Sequence, residues 1–296
     1  MLLWKSEKDV FVRNHTKFAL DLLHKLTTQD KNPFVSPYNL TVLVAMVYAG
    51  AHGETATQIA EALHFPADHK ALHAQIAEIE EQLFAGSKKG NYDLRIGNRI
   101  WSQIGYPLLQ SFLDIVSVHY KSGIGNVDFS QGEQTCQVMN RWIEEQTAGL
   151  IKNLVSPNLF TPQTRVMLTS AIYFKGLWSD PFPKEATRDE EFWISPERTV
   201  RAPMMQQQME VPYAEYTDVQ VVALPYRQLG ERPQPDISMV ILLPRTRGEL
   251  DNISLHAEQF VQWVSWLKSQ TVKIVLPKFR IESLHLLGSF FRELGW

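Results

Sequence analysis

The pattern of apolar residues along the first half of the chain predicts helices. The apolar positions between Leu72 and Leu83 are separated by 4, 3 and 4 residues, which places them on one helical face. Residues 40–49 are apolar all round, which is typical of a fully buried helix, and Ser36-Pro37 before them supplies an N-cap followed by proline. The same reasoning predicts helices over 11–26 and 134–148, shorter helices at a Thr55-x-x-Gln58 capping box and at Pro107, and a polar loop from Gly86 to Gly90.

The later pattern predicts strands. Residues 94–101 alternate between two faces, whereas 164–174 are apolar on both faces, which favours a strand in the middle of a sheet. Further predicted elements are strands over 219–224, 237–243 and 271–276, an extension over 279–281, and helices around 257–267 and 284–294. Helices early and strands late, without βαβ alternation, indicate a single α+β domain with antiparallel or mixed sheets.

Composition and charge exclude several classes of protein. The 296 residues are 44% hydrophobic with a net charge of −3, which argues against disorder and against a broad basic surface for nucleic acid or anionic lipid. The single cysteine, Cys136, excludes an internal disulfide, and no neighbouring base motif indicates a reactive thiol. No apolar run predicts a membrane span, and no signal peptide is visible. We therefore expect no nucleic-acid or membrane partner, and either a cytosolic chain or one whose leader has been removed.

No catalytic signature is present, so no catalytic residue, metal or cofactor is predicted. The best metal candidate is His69 and His73, four positions apart with His64 nearby, but histidines facing solvent are the favoured interpretation. The acidic runs 144–145 and 189–191 contain adjacent residues that diverge on a helix or strand, so they are interpreted as solvated edges. A soluble α+β enzyme remains the alternative of a different class.

A few polar residues interrupt the apolar elements. Thr169 and Ser170 lie inside the apolar strand, and Ser36 and Asn39 lie at the start of the apolar helix. A buried hydroxyl or amide without a hydrogen bond costs about 1–3 kcal/mol, so we predict that these groups bond one another where helix meets sheet. A plain N-cap with an ordinary strand threonine is the alternative. Trp178 is predicted to plug the end of the strand, with ordinary core packing as its alternative.

Several segments, in order along residues 15–296, resemble the serpins, a family of serine proteinase inhibitors. They are Asn32-Pro33-Phe34-Val35-Ser36-Pro37, Gly50 to Thr55, Leu94 to Trp101, Asn140 to Ile151, Ser170 to Trp178, Pro203 to Gln206, Leu224-Pro225-Tyr226 and Leu276 to Glu282.

The resemblance implies a fold, a mechanism and site residues. Helices would pack on sheets A, B and C, and a protease that cleaves an exposed reactive loop would be trapped when the loop inserts into sheet A. Ser36, Asn39 and Ser170 would lie in the shutter region that gates this opening, and Trp178 at the breach where insertion begins. The family usually has serine at position 39 and asparagine at position 170, so we hypothesise that the two partners of one hydrogen bond are exchanged here. An extracellular location follows from the resemblance, with the cytoplasm as the alternative.

The resemblance also raises an expectation about the end of the chain at Trp296. In serpins the next segments are the fifth strand of sheet A, the reactive loop and the closing strands, so residues 1–296 are expected to form a single incomplete serpin domain without a reactive bond. We expect such a chain to fold poorly or aggregate. It would inhibit a serine protease, or alternatively a cysteine protease, only when completed by its C-terminal segment. The alternative is a non-inhibitory relative or inactive remnant with a binding role only.

Overall fold

The computed structural model of the protein describes residues 7–27, 32–66, 68–121, 123–229, 237–246 and 255–283. The helices are α1 (Glu7–Thr27), α2 (Pro37–Tyr48), α3 (Gly53–Leu63), α4 (His69–Lys88), α5 (Gln110–Tyr120), α6 (Gly132–Gln146) and α7 (Ala257–Ser265). The strands are β1 (Tyr92–Gln103), β2 (Gly123–Val127), β3 (Val166–Gly176), β4 (Arg188–Ser195), β5 (Arg198–Glu215), β6 (Val219–Pro225), β7 (Ser238–Pro244) and β8 (Lys268–Pro277). The helix predicted over 284–294 lies outside these ranges.

Several helix boundaries differ from the prediction. The helix predicted to begin at Pro107 begins at Gln110 instead, with Leu109 as its N-cap. The Thr55 capping box is wrong, because α3 already begins at Gly53, whose φ of +59° turns the chain into the helix. The polar loop from Gly86 to Gly90 is also wrong, because α4 continues to Lys88. The ring of Tyr92 lies against Gly86, and its hydroxyl donates to the carbonyl oxygen of Leu83 at 2.6 Å. Gly86 therefore makes room for an aromatic ring within the helix.

The first sheet is mixed, as the sequence pattern predicts. Its strand order is β2-β1-β3, with β1 parallel to β2 and antiparallel to β3. The prediction that residues 164–174 lie in the middle of a sheet is wrong for the part of the chain that the structure describes, since β3 pairs with β1 alone. Helix α2 packs against β3, as does α6. Helix packing thus accounts for the apolar pattern of β3 without a strand on each side.

The second sheet is organised by the long strand β5. Its order is β4-β5-β6-β7, and β8 also pairs with β5, from Met204 opposite Pro277 to Tyr213 opposite Lys268. Strand β6 then pairs with the last residues of β5, beginning at Tyr213. Strand β5 therefore joins β4, β6 and β8 in one sheet. The extension predicted over 279–281 is wrong, since β8 ends at Pro277.

The apolar core forms separate clusters: one among the helices of the first half, one under α6, and two at the second sheet. Helices α1 to α5 contribute the larger cluster, which includes the fully buried Phe18, Met46 and Ile76. Trp101, Met139 and neighbouring residues form a second cluster between α6 and the first sheet. Among the described helices, none is long and apolar enough to cross a membrane.

Candidate functional site: the polar group between α2 and the first sheet

Ser36 caps the first turn of α2. Its side-chain oxygen accepts a hydrogen bond from the backbone N–H of Asn39 at 3.3 Å, and Pro37 occupies the first position of the helix. This arrangement satisfies one of the backbone donors that a helix N-terminus leaves free. The N-cap predicted at Ser36 is therefore confirmed.

Ser170 bonds to a strand neighbour instead of the helix. Its hydroxyl donates to Oδ1 of Asn98 at 2.5 Å, and the two residues stand directly opposite each other in the antiparallel pairing of β1 and β3. Asn39 is buried, and its Oδ1 has no hydrogen-bond partner within the described part of the chain. The hypothesis of an exchanged Asn39–Ser170 hydrogen bond is therefore wrong. The strand register, which a single sequence does not reveal, selects Asn98 as the partner.

Thr169 makes a second polar contact, on the opposite face of β3. Its hydroxyl accepts a hydrogen bond from the indole Nε1 of Trp101 at 2.8 Å, and Trp101 is only 1% exposed. The rings of Trp101 and Trp142 meet edge to face with centroids 6.0 Å apart. Thr169 and Ser170 thus bond to β1 and not to α2, contrary to the prediction. Asn98 was not singled out from the sequence, although it replaces an apolar residue in the alternation of β1.

We expect Ser170→Ala to lower the free energy of unfolding by about 1–3 kcal/mol, because Asn98 would lose this donor in a buried setting. Urea denaturation monitored by circular dichroism measures the change. Ser265→Ala is the control, since its hydroxyl bonds only locally to the carbonyl of Gln262 on an exposed surface, and a change within about 0.5 kcal/mol is expected. A Ser170→Ala variant as stable as this control would contradict the assignment.

Trp178 connects the two sheets. Its ring stacks on Tyr226 with centroids 4.7 Å apart and an interplanar angle of 10°, and the two residues form an isolated β-bridge. Tyr226 also meets Phe174 near the end of β3, with centroids 5.0 Å apart. Trp178 packs against the apolar cluster of the second sheet around Met209 and Leu224. It therefore lies beyond the end of β3, as the sequence predicts, and also belongs to a core.

The three candidate metal ligands do not converge. His64 lies 3.1 Å from the carboxylate of Asp21, and the ring of His69 stacks on Tyr48 with centroids 4.0 Å apart. His73 is 2% exposed, and its Nδ1 lies 2.5 Å from the hydroxyl of Tyr120. No group of three or more histidine, cysteine or acidic side chains suited to a metal occurs among the described residues. The prediction that these histidines face solvent is wrong for His73, because that face of α4 packs against α5.

The remaining candidates for a catalytic role are the two acidic runs, which are exposed, and Cys136, which is buried. Glu144 pairs with Lys152 at 2.9 Å, and Glu190 accepts a hydrogen bond from Gln206 at 2.6 Å on an exposed strand. Cys136 is buried, and burial, followed by the nearby carboxylate of Glu133, raises the pKa of its thiol. Within the part of the chain that the structure describes, none of these side chains has the neighbour that acid/base or thiolate chemistry requires.

Two buried titratable groups lie on α4: His73, which the sequence analysis considered as a metal ligand, and Glu80, which it did not single out. Glu80 on α4 is 4% exposed, and burial raises the pKa of its carboxyl to about 7, although the cation of Lys121 acts in the opposite direction. Burial lowers the pKa of His73 to about 4, and the neighbouring His119 and His69 contribute to that decrease. Helical periodicity could have indicated that Glu80 is buried, because Glu80 follows Ile76 by four positions and therefore lies on the same buried face of α4.

Comparison with known proteins identifies the family. The family model described as serpin (serine protease inhibitor) matches residues 13–296. An uncharacterised serpin-like protein of Thermococcus kodakarensis is 35% identical over 299 residues, which covers 99% of this chain and 67% of that protein. The leukocyte elastase inhibitor of Bos taurus is 32% identical over 295 residues, covering 95% of this chain and 75% of that protein. The chain thus spans about two thirds to three quarters of the length of these relatives.

Comparison with a solved structure identifies the fold. The structure of cleaved Serpin 42Da matches with a TM-score of 0.86 and 32% sequence identity, and the alignment covers 96% of this chain and 76% of that chain. The predicted α+β, serpin-like fold is therefore confirmed. The chain belongs to the serpin family.

Proposed function

We propose that this protein is a serpin-type inhibitor of serine endopeptidases and not an enzyme. The observation that carries the proposal is the match of residues 13–296 to the serine protease inhibitor family. The similarity to the leukocyte elastase inhibitor of Bos taurus supports the same class of activity. The relatives extend beyond the part of their length that this chain covers, so the activity is proposed for the chain together with the corresponding remainder.

The first sheet is the one into which the cleaved loop of the proposed inhibitor would insert. Within the described ranges, β3 is hydrogen-bonded to β1 along one edge only, over the register from Val166 to Gly176. Helices α2 and α6 both pack against β3. A strand added along the edge of β3 opposite β1 would therefore pair with a strand that helices already cover. A cleaved loop that inserts there would gain a full ladder of backbone hydrogen bonds. The protease attached to the loop as an acyl-enzyme would move with it.

We assign to four polar and aromatic residues the role of controlling how the first sheet opens. Ser36 and Asn39 at the start of α2, with Ser170 on β3, form the proposed shutter, and the Asn98–Ser170 hydrogen bond belongs to it. Trp178, stacked on Tyr226 beyond the end of β3, forms the proposed breach. The extracellular location stays a prediction from the family resemblance, as does the absence of nucleic-acid and membrane partners.

The test is the formation of a covalent complex with a protease. The 296-residue chain is incubated with an elastase-type serine protease, alone and with a peptide corresponding to the C-terminal segment of the bovine relative. The acyl bond would join the protease serine to the part of the peptide before the cleaved bond, and the remainder of the peptide would leave. A protease–peptide adduct that survives denaturing electrophoresis is therefore expected only when the 296-residue chain and the peptide are both present. A protease whose catalytic serine is replaced by alanine is the matched control, since it cannot form the acyl bond. If the completed protein is folded by circular dichroism and still leaves the active protease free, the proposal fails and a binding role only is favoured.

A further inference from the structure

Buried titratable side chains connect four helices around the start of α2. The imidazole of His15 on α1 meets the ring of Tyr38 on α2 edge to face, with centroids 6.1 Å apart. Glu80 on α4 and Tyr120 on α5 act electrostatically on Tyr38, adding to the effect of burial in raising the pKa of its phenol. Tyr120 in turn is hydrogen-bonded to His73 on α4. Helices α1, α2, α4 and α5 thus each contribute a titratable side chain to this group.

The surroundings of Glu80 do little to stabilise the ionised form of its carboxyl. Among the described residues, neither its buried Oε1 nor the buried hydroxyl of Tyr38 has a hydrogen-bond partner. Within the same residues, the cation that acts on its carboxyl is that of Lys121, whose side chain is 62% exposed and lies 3.6 Å from the carboxylate of Glu81. Desolvation of a carboxylate without donors or a close cation is strongly unfavourable, whereas the neutral acid is tolerated.

We propose that Glu80 is a pH-sensitive switch that holds α4 against α5 while it is protonated and weakens that packing when it ionises. This inference does not depend on the proposed inhibitory function. Tyr38 precedes the buried Asn39 in α2, so loosening of α4 would reach the start of the helix where the polar group described above lies.

The direction of the pH dependence follows from the two protonation states. The pKa of Glu80 in the folded protein is about 7, above the value of 4.5 for a free glutamate. The folded state therefore binds the proton more tightly than an open state, and the stabilisation is complete below about pH 4.5. It is lost as the pH rises through 7. The difference corresponds to an increase of at most about 300-fold in the equilibrium constant for opening.

The other titratable groups around Glu80 act differently over this range. The pKa values of His15 and His73 are lowered to about 4 by burial, so both imidazoles stay neutral between pH 6 and 8. Burial raises the pKa values of Tyr38 and Tyr120, so both phenols stay protonated. Glu80 is therefore the buried member of the group that changes charge near neutral pH.

The experiment compares the full 296-residue chain with Glu80→Gln, which replaces the acid by a neutral side chain of similar shape. Urea denaturation at pH values from 5.5 to 8.5 is combined with amide hydrogen exchange of α4, corrected for the intrinsic effect of pH. In the original chain the protection of α4 is expected to fall by about tenfold from pH 6 to pH 8. In Glu80→Gln the protection is expected to stay constant over the same interval.

Two further variants keep the test decisive. Glu81→Gln is the matched control, because the Glu81 side chain is 68% exposed, and it should retain the full pH dependence. Lys121→Met removes the cation that favours the ionised form, so the loss of protection should move to higher pH. Parallel pH profiles for the original chain and Glu80→Gln, or no shift in Lys121→Met if Glu80→Gln does not fold, would overturn the proposal.

Discussion

Replacing Trp101 by alanine is expected to lower the free energy of unfolding by about 3–5 kcal/mol, the range typical of a fully buried aromatic side chain. Trp101 is 1% exposed, contacts Trp142 edge to face, and donates its indole N–H to Thr169. The variant would leave a cavity between α6 and the first sheet and a buried hydroxyl without its donor. Urea denaturation of the 296-residue chain measures the loss.

The control variants separate packing from hydrogen bonding at this site. Trp101→Phe keeps an aromatic ring but removes the N–H donor, so we expect an intermediate decrease of about 1–3 kcal/mol. Trp193→Ala is the matched control, because Trp193 is 39% exposed on β4, and it should change stability far less. A Trp101→Ala variant that unfolds like Trp193→Ala would show that Trp101 is not part of the core described here.

Acid is expected to destabilise the protein through two histidines. Burial lowers the pKa values of His15 and His73 to about 4 in the folded protein, from an ordinary value of 6.5. The unfolded chain therefore binds protons at these positions more readily, and the stabilisation present above pH 6.5 is lost as the pH falls towards 4. A difference of this size corresponds to at most about 3 kcal/mol for each group. Urea denaturation between pH 7 and 4 measures the effect.

Substitution of the two histidines tests their contribution. His15→Phe and His73→Gln remove the titrating group, so each variant should lose less stability between pH 6.5 and 4 than the original chain does. His24→Gln is the control, since His24 is exposed at the end of α1. Equal acid sensitivity in all of these proteins would contradict the assignment of His15 and His73.

The elements that sequence pattern predicts well are those that bury a stripe of apolar residues. Helices α1, α2 and α6 follow from periodicity, because their apolar residues form the core that the structure shows. The end of α4 was missed because a glycine ordinarily indicates a loop, whereas Gly86 accommodates Tyr92 from the following strand. That contact depends on the tertiary fold and leaves no local signal.

The candidate site was only partly predictable for a related reason. The sequence indicates that Ser36, Asn39, Thr169 and Ser170 are polar residues in apolar surroundings, but their partners depend on the pairing of β1 with β3. Asn98 stands opposite Ser170 in that register, and a shift of one residue would have brought a different side chain there. Burial of Glu80 was foreseeable from its helical position, but its charge state depends on how completely the tertiary fold buries it and on Lys121, which follows α5.

The length of β5 affects how accurately the strands of the second sheet align in register. Its 18 residues pair with β4 near the start, with β8 through the middle and with β6 at the end. Because side chains alternate along a strand, misalignment by a single position would reverse inside and outside over a length of about 60 Å. Correct alignment of any one neighbour on β5 therefore constrains the other two, which makes a partly mismatched assembly of this sheet unfavourable.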